Sequence, residues 1–253
     1  MAMNKERLKK LKSRKKKLQE AQSGGTMLFI KADTTVRVRP LPVDENEEFG
    51  LEIITCYLGP EIKGVLSPST FGLPCALNEK YQKLKASKDP DDQELAKGAL
   101  KPKKKYVVPV IKYKDLKGTK VDEQSGVKLL QLANSAYQKM VDYSLDAEAG
   151  DFTDPKEGYD LKVSRTGSGQ FDTEYGVINC KPTPLHKKFN KIYDIKELLM
   201  KEMPTYEETK EKLAQFMGGD EDEPRKKKKK KPSSSASVGT KTGIKKKKKP
   251  SDL

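Results

Sequence analysis

The chain has 253 residues, 35% of them charged and 34% hydrophobic, and carries a net charge of +15. That length suits one medium domain with tails or two small ones, and the apolar share is too low for a wholly globular chain. No apolar run approaches the roughly 20 residues of a membrane span, and three scattered cysteines, Cys56, Cys75 and Cys180, argue against a disulfide framework and for a reducing, cytoplasmic setting.

The charge is unevenly placed. Residues 1–23 hold nine Lys/Arg and two Glu, residues 220–253 thirteen Lys/Arg and five Asp/Glu, and residues 24–219 thirty of each sign. A neutral centre with two cationic arms predicts a polyanionic partner, nucleic acid before an anionic membrane, because the arms lack bulky apolar anchors.

In chain order, residues 1–25 read as a basic arm, helix-permissive but with too few apolar residues for a packing stripe. No apolar run follows it, so no secretory signal is expected. Residues 26–218 read as the folded core. "TMLFIKADTTVRVRPLPV" is extended, with Val36 and Val38 alternating with Arg37 and Arg39, and "FGLEIITCYLG" (49–59) is a second strand. Residues 60–100 are irregular, with a short helix from about Asn78 and a polar loop or short helix beyond. "KKKYVVPVIKYKD" (103–115) is a long strand whose Pro109 predicts an edge, bend or bulge. "SGVKLLQL" (125–132) pairs with it, and about 133–145 has helical spacing.

"GYDLKVSRTGSGQFDTEYGV" (158–177) reads as a hairpin. Tyr159, Leu161, Val163 and Arg165 share one strand face, with Asp160, Lys162 and Ser164 opposite, and Phe171, Thr173, Tyr175 and Val177 share a face after the turn. "NCKPTPLHKKF" is an extended linker. Two short helices follow, the second opened by a capping-box pattern, Thr205 and Glu208. Residues 219–253 are low-complexity and lysine-rich, with the composition of a disordered tail. The order fits a β-rich core with added helices, a small Greek-key barrel of the OB type. A split α+β sheet fits the same order.

No catalytic constellation is evident. His186 stands alone in a linker, "TGSGQF" lacks the strand and helix of a phosphate-binding loop, and "DFTDP" (151–155) reads as a turn. No close cysteine pair exists for zinc, so neither metal nor cofactor is expected. Single-strand binders need cations for phosphates and aromatic faces for bases. Three strand segments supply both: Arg37 and Arg39; Lys103, Lys104, Lys105, Tyr106, Lys112 and Tyr113; Lys162, Arg165, Phe171 and Tyr175. The bland alternative is solvated charges and half-buried tyrosines.

"KPKKKYVVPVIKYKD", "GVKLLQLANSAYQKMVD" and "EAGDFTDPKEGYDLKVSRTGSGQFDTEYGV", with "RPLP" at Arg39–Pro42, resemble the core of bacteriophage single-stranded-DNA-binding proteins of the T-even helix-destabilising type. The resemblance spans about residues 34–217. It implies an OB-fold core that binds single-stranded DNA in replication, recombination and repair, in the cytoplasm of an infected host cell if phage-encoded. It also implies a basic arm, here with Lys9, Lys10, Arg14, Lys15 and Lys16, that supports cooperative head-to-tail binding to further copies, and contacts with replication or recombination proteins. T-even members hold zinc through closely spaced cysteines and a histidine. Cys75 stands alone in the corresponding insert, so zinc is not expected here. Their acidic tail is replaced here by "DEDE" and two lysine runs, which suit DNA or acidic partners.

The resulting expectation is a non-enzymatic binder without membrane contact. Phosphates would lie on Arg37, Arg39, Lys103, Lys105, Lys112, Lys162 and Arg165, and bases on some of Tyr57, Tyr106, Tyr113, Phe171 and Tyr175. The rival expectations are an RNA binder, or a DNA-condensing or scaffold protein touching nucleic acid only through its tails.

Overall fold

A computed structural model describes residues 26–218 apart from 63, 99, 124, 147, 168, 170 and 171. The basic arm with Lys9, Lys10, Arg14, Lys15 and Lys16, the lysine-rich tail and Phe171 lie outside the described residues.

The strands are β1 (Met27–Leu28), β2 (Thr34–Pro40), β3 (Leu51–Tyr57), β4 (Gly64–Leu66), β5 (Lys103–Lys112), β6 (Val127–Leu132), β7 (Tyr159–Thr166) and β8 (Glu174–Pro182). The helices are α1 (Gly59–Ile62), α2 (Ala76–Ala86), α3 (Pro90–Lys97), α4 (Asn134–Leu145), α5 (Ile195–Met200) and α6 (Tyr206–Met217). One mixed sheet runs β1-β6-β5-β2-β7-β8, and β3 and β4 branch from β5.

The long β5 is the axis of the sheet. One edge pairs β6 over Tyr106–Ile111. The other pairs β3 over Lys103–Val107 and β2 over Val110–Lys112. Pro109 sits at the changeover, where its carbonyl accepts the Leu41 amide at 2.9 Å and its missing N–H breaks no ladder. Val107 through Ile111 are buried without alternation because apolar layers cover both faces of the strand.

One layer is the main core, where Val38, Val108, Leu130, Leu161 and Val163 pack against Ala136, Tyr137 and Met140 of α4. Tyr137 comes so close to Gly50 that a Cβ there would enter its ring. On the other face, Leu129, Val107 and Ile53 lie under Ile195 and Leu199 of α5. A separate lobe joins Cys56 and Val65 to Leu77, Leu84, Ala96 and Leu213 from α2, α3 and α6. Burial, followed by the charge of Cys75, pushes the Cys56 thiol up to about 12.

The β-rich core with added helices is the architecture expected. The ladder stays open among the described residues, as OB-type barrels partly do. Residues 60–100 are more helical than their weak patterning suggests, because α2 packs on both its neighbour α3 and the distant α6, and the three bury their apolar residues in one shared cluster. The supposed linker from Asn179 instead extends β8, since Tyr159 continues the ladder to Pro182.

Candidate nucleic-acid interface

The face of β3, β5 and β6 under α5 is only partly covered. Past the helix, Thr55, Lys103, Lys105 and Gln131 emerge on that same face, because Thr55 pairs Lys103, Ile53 pairs Lys105 and Gln131 pairs Val107. Tyr57 follows by strand alternation and is 48% exposed. A groove of about 290 Å³ opens there, lined by Met27, Phe29, Thr55, Leu66, Gln131 and Pro204, among others. Phe29 stands 56% exposed at its side. Glu202 is also in the groove, and its Oε1 accepts the Thr26 amide at 3.1 Å.

Among the described residues Lys103, Lys105 and Arg165 make no ion pair, although Glu202 and Lys212 both line the groove. Lys105 is held below the ordinary lysine value by burial first, then by repulsion from Lys103 and Arg165, and no carboxylate offsets them. Arg165 donates Nη1 to the Ile30 carbonyl at 3.3 Å, which ties it beside Phe29. Its Nε is buried with no acceptor. Tyr175 is its cross-strand partner on β8 and packs half-buried on the main core. By contrast Lys104, on the opposite face of β5, is paired to Glu52 at 2.9 Å.

Arg37, Arg39 and Tyr113, expected to lie open to phosphates and bases, are instead engaged inside the fold. Asp160, 1% exposed, gathers all three. Arg37 donates Nε and Nη2 to Asp160 Oδ2 at 2.8 and 2.6 Å, and Tyr113 donates its hydroxyl to Oδ1 at 3.1 Å. Arg39, also 1% exposed, places Nη1 3.9 Å from Oδ1 and donates Nη2 to the Asp154 carbonyl at 2.8 Å. Burial lowers the Arg39 pKa against the pull of Asp160, whereas for Arg37 the Asp160 contact outweighs desolvation. Burial, then Asp160, pushes the Tyr113 hydroxyl up to about 12. These two arginines and this tyrosine hold strands together.

Tyr106 stacks on Tyr137, centroids 4.0 Å apart and planes 3° from parallel, so one ring face is already occupied. Lys162 is half-buried on the outer face of β7, between Arg37 and the exposed Ile178. Lys112 is at the far end of β5. Of the expected residues, Lys103 and Lys105 share the sheet face of Thr55 and Gln131 beside the groove, Tyr57 follows them on β3, and Arg165 comes near Lys105 from the end of β7.

Phe29 is absent from the expected set. In the run "MLFI" four apolar residues stand together, and only the fold reveals that Leu28 and Ile30 face the core while Met27 and Phe29 face the groove. In the sequence Asp160 could be placed only on a strand face with Lys162 and Ser164, without a partner.

Among the described residues no group of three His, Cys, Asp or Glu could hold a metal ion, and no helix is long and apolar enough to cross a membrane. The family described as gp32 DNA binding protein like matches residues 60–217. That segment contains Lys103, Lys105, Gln131 and Arg165 and begins after Phe29 and Tyr57. A comparison with curated proteins finds no match.

Proposed function

The chain belongs to the gp32-like DNA-binding protein family, and on that premise we propose that it holds single-stranded DNA, without sequence preference, along the groove face of β3, β5 and β6. Lys103, Lys105 and Arg165 take phosphates, and Phe29 and Tyr57 offer ring faces to bases. Each stacked base contributes on the order of 1–3 kcal/mol and any base will serve. The service is the coating of single strands in DNA replication, recombination and repair, with the basic arm meeting the next copy on the strand.

Lys105 carries this reading. A half-buried ammonium, destabilised by burial and by two cations with no carboxylate to offset them, is arranged to receive an anion. The neutral balance of residues 24–219 makes such a local surplus more telling than the charge of the arms.

The test is fluorescence anisotropy of the full chain with oligo(dT) and with duplex of equal length, across a salt series, for wild type and Lys105→Ala/Arg165→Ala. Single-strand preference should persist at moderate salt. The double variant should lose affinity, with the salt slope shallower by about 1.4, or roughly 0.7 per phosphate contact. Equal, salt-labile binding to both DNAs, unchanged in the double variant, would assign binding to the basic tails and reject the groove.

A further inference from the structure

Beyond β5 the chain makes a tight turn that the groove does not use. Lys112, Lys114, Lys117 and Lys120 lie within nine residues, and Leu116 at the tip is 46% exposed. None of the four lysines makes an ion pair among the described residues.

This turn is held in one conformation. The Lys114 amide donates to the Lys120 carbonyl at 2.9 Å, and the Asp122 amide to the Lys112 carbonyl at 2.8 Å. Asp115, the acid inside the turn, is engaged internally by the Thr119 amide at 3.2 Å and hydroxyl at 2.6 Å. From beneath, Arg37 donates Nη1 to the Lys117 carbonyl at 2.6 Å and the Leu116 carbonyl at 3.4 Å. Gly118 has φ +76°, and any side chain there would strike the Arg37 guanidinium. Arg37 is itself fixed on Asp160. A buried ion pair thus anchors an exposed, lysine-rich tip.

We propose that the turn Lys112–Lys120 is a second phosphate-binding surface, separate from the groove, which takes the DNA strand as it continues beyond it. Tyr113 is engaged with Asp160, so the turn presents charge and one aliphatic side chain but no ring. That chemistry grips a phosphate backbone and does not stack bases. Lys112 is seven positions, roughly 23 Å, along β5 from Lys105 and on the opposite face of the strand. An oligonucleotide short enough to stay on the groove face therefore does not reach the turn, and a longer one that runs past the end of the strand does. Pinning the tip lowers the ordering cost of each contact. This inference rests on the groove reading for where the strand begins.

The experiment compares the full chain with Lys114→Gln/Lys117→Gln/Lys120→Gln, all at exposed positions, against oligo(dT) of about 6 and about 20 nucleotides and a duplex with a short single-stranded overhang. The expected result is unchanged affinity for the short oligonucleotide, and roughly tenfold weaker binding of the long one with a salt slope shallower by about 2. A loss confined to the overhang duplex upholds the phosphate surface and makes the flanking duplex its source. Unchanged affinity and slope on all three DNAs overturns the proposal. So does an equal loss on all three, because the turn would then belong to the groove. Failure of wild type to bind the short oligonucleotide would instead reject the groove reading, while the long oligonucleotide still judges the turn.

Discussion

Arg37 of β2 and Asp160 of β7 share two hydrogen bonds onto a single carboxylate oxygen, at 2.8 and 2.6 Å, with side chains 12% and 1% exposed. The same carboxylate accepts from Tyr113 and faces Arg39, so one buried negative charge serves two buried positive ones. β2 and β7 are thereby locked at the register that pairs Arg37 with Lys162, and Arg37 passes that order on to the turn after β5.

Removing the carboxylate should therefore be costly. Asp160→Ala leaves two arginines buried without their counter-ion and should destabilise the fold by about 3–5 kcal/mol. Urea unfolding measures it. A midpoint close to that of wild type would mean that the arginines find other acceptors and that the network does not hold the strands.

Lys105 should show the opposite balance between stability and function. Its pKa in the folded chain lies below the ordinary 10.5 of an unfolded lysine. At neutral pH the charged form is thus a net cost to folding. That cost fades as pH rises through the folded value towards 10.5, where the unfolded chain still binds the proton. Lys105→Met should raise the urea midpoint while weakening oligo(dT) binding, with a salt slope shallower by about 0.7. A phosphate favours the charged form, so binding takes up a proton, and wild-type affinity should begin to fall below pH 10.5. Lys105→Met should lack that component. A variant that is both less stable and unaltered in binding would make Lys105 a packing residue.

The stacked pair Tyr106 and Tyr137 ties β5 to α4. A double-mutant cycle with Tyr106→Leu and Tyr137→Leu should give a coupling of about 0.5–1.5 kcal/mol in folding stability. Tyr106→Leu should leave oligo(dT) affinity nearly unchanged, because Tyr137 covers one face of the ring. A large loss of affinity at preserved stability would return Tyr106 to the binding surface.

Local patterns were the legible part of the sequence. Strand alternation placed Tyr159, Leu161 and Val163 on one face, and all three are buried in the main core. The Thr205–Glu208 pattern is a complete capping box at the start of α6, with amide-to-side-chain distances of 3.2 and 2.8 Å. Lys103, Lys105 and Arg165 stand out, as do Arg37 and Arg39, because basic residues recur with aromatics in three strand segments. Residue type alone did not separate them from Arg37 and Arg39. Those two are captured by an aspartate more than a hundred positions away, and only the β2–β7 pairing brings it near. Phe29 was hidden for a similar reason, since an unbroken apolar run does not show which alternate residues the core takes.

Phe29 and Tyr57 stand on opposite arguments from the lysines. On the proposed reading their contribution is stacking, which carries no counter-ion release. Phe29→Ala/Tyr57→Ala should weaken oligo(dT) binding by about 1–3 kcal/mol for each base left unstacked, with the salt slope unchanged. Lys105→Ala/Arg165→Ala should instead flatten the slope. Both rings are largely exposed, so the aromatic variant should unfold at nearly the wild-type urea concentration. The two double variants therefore separate base contacts from phosphate contacts within one groove. If the aromatic variant flattened the slope as the cationic one does, Phe29 and Tyr57 would be acting through the position of Arg165 and Lys105 rather than on the bases. Were its affinity unchanged, the groove would hold the backbone alone.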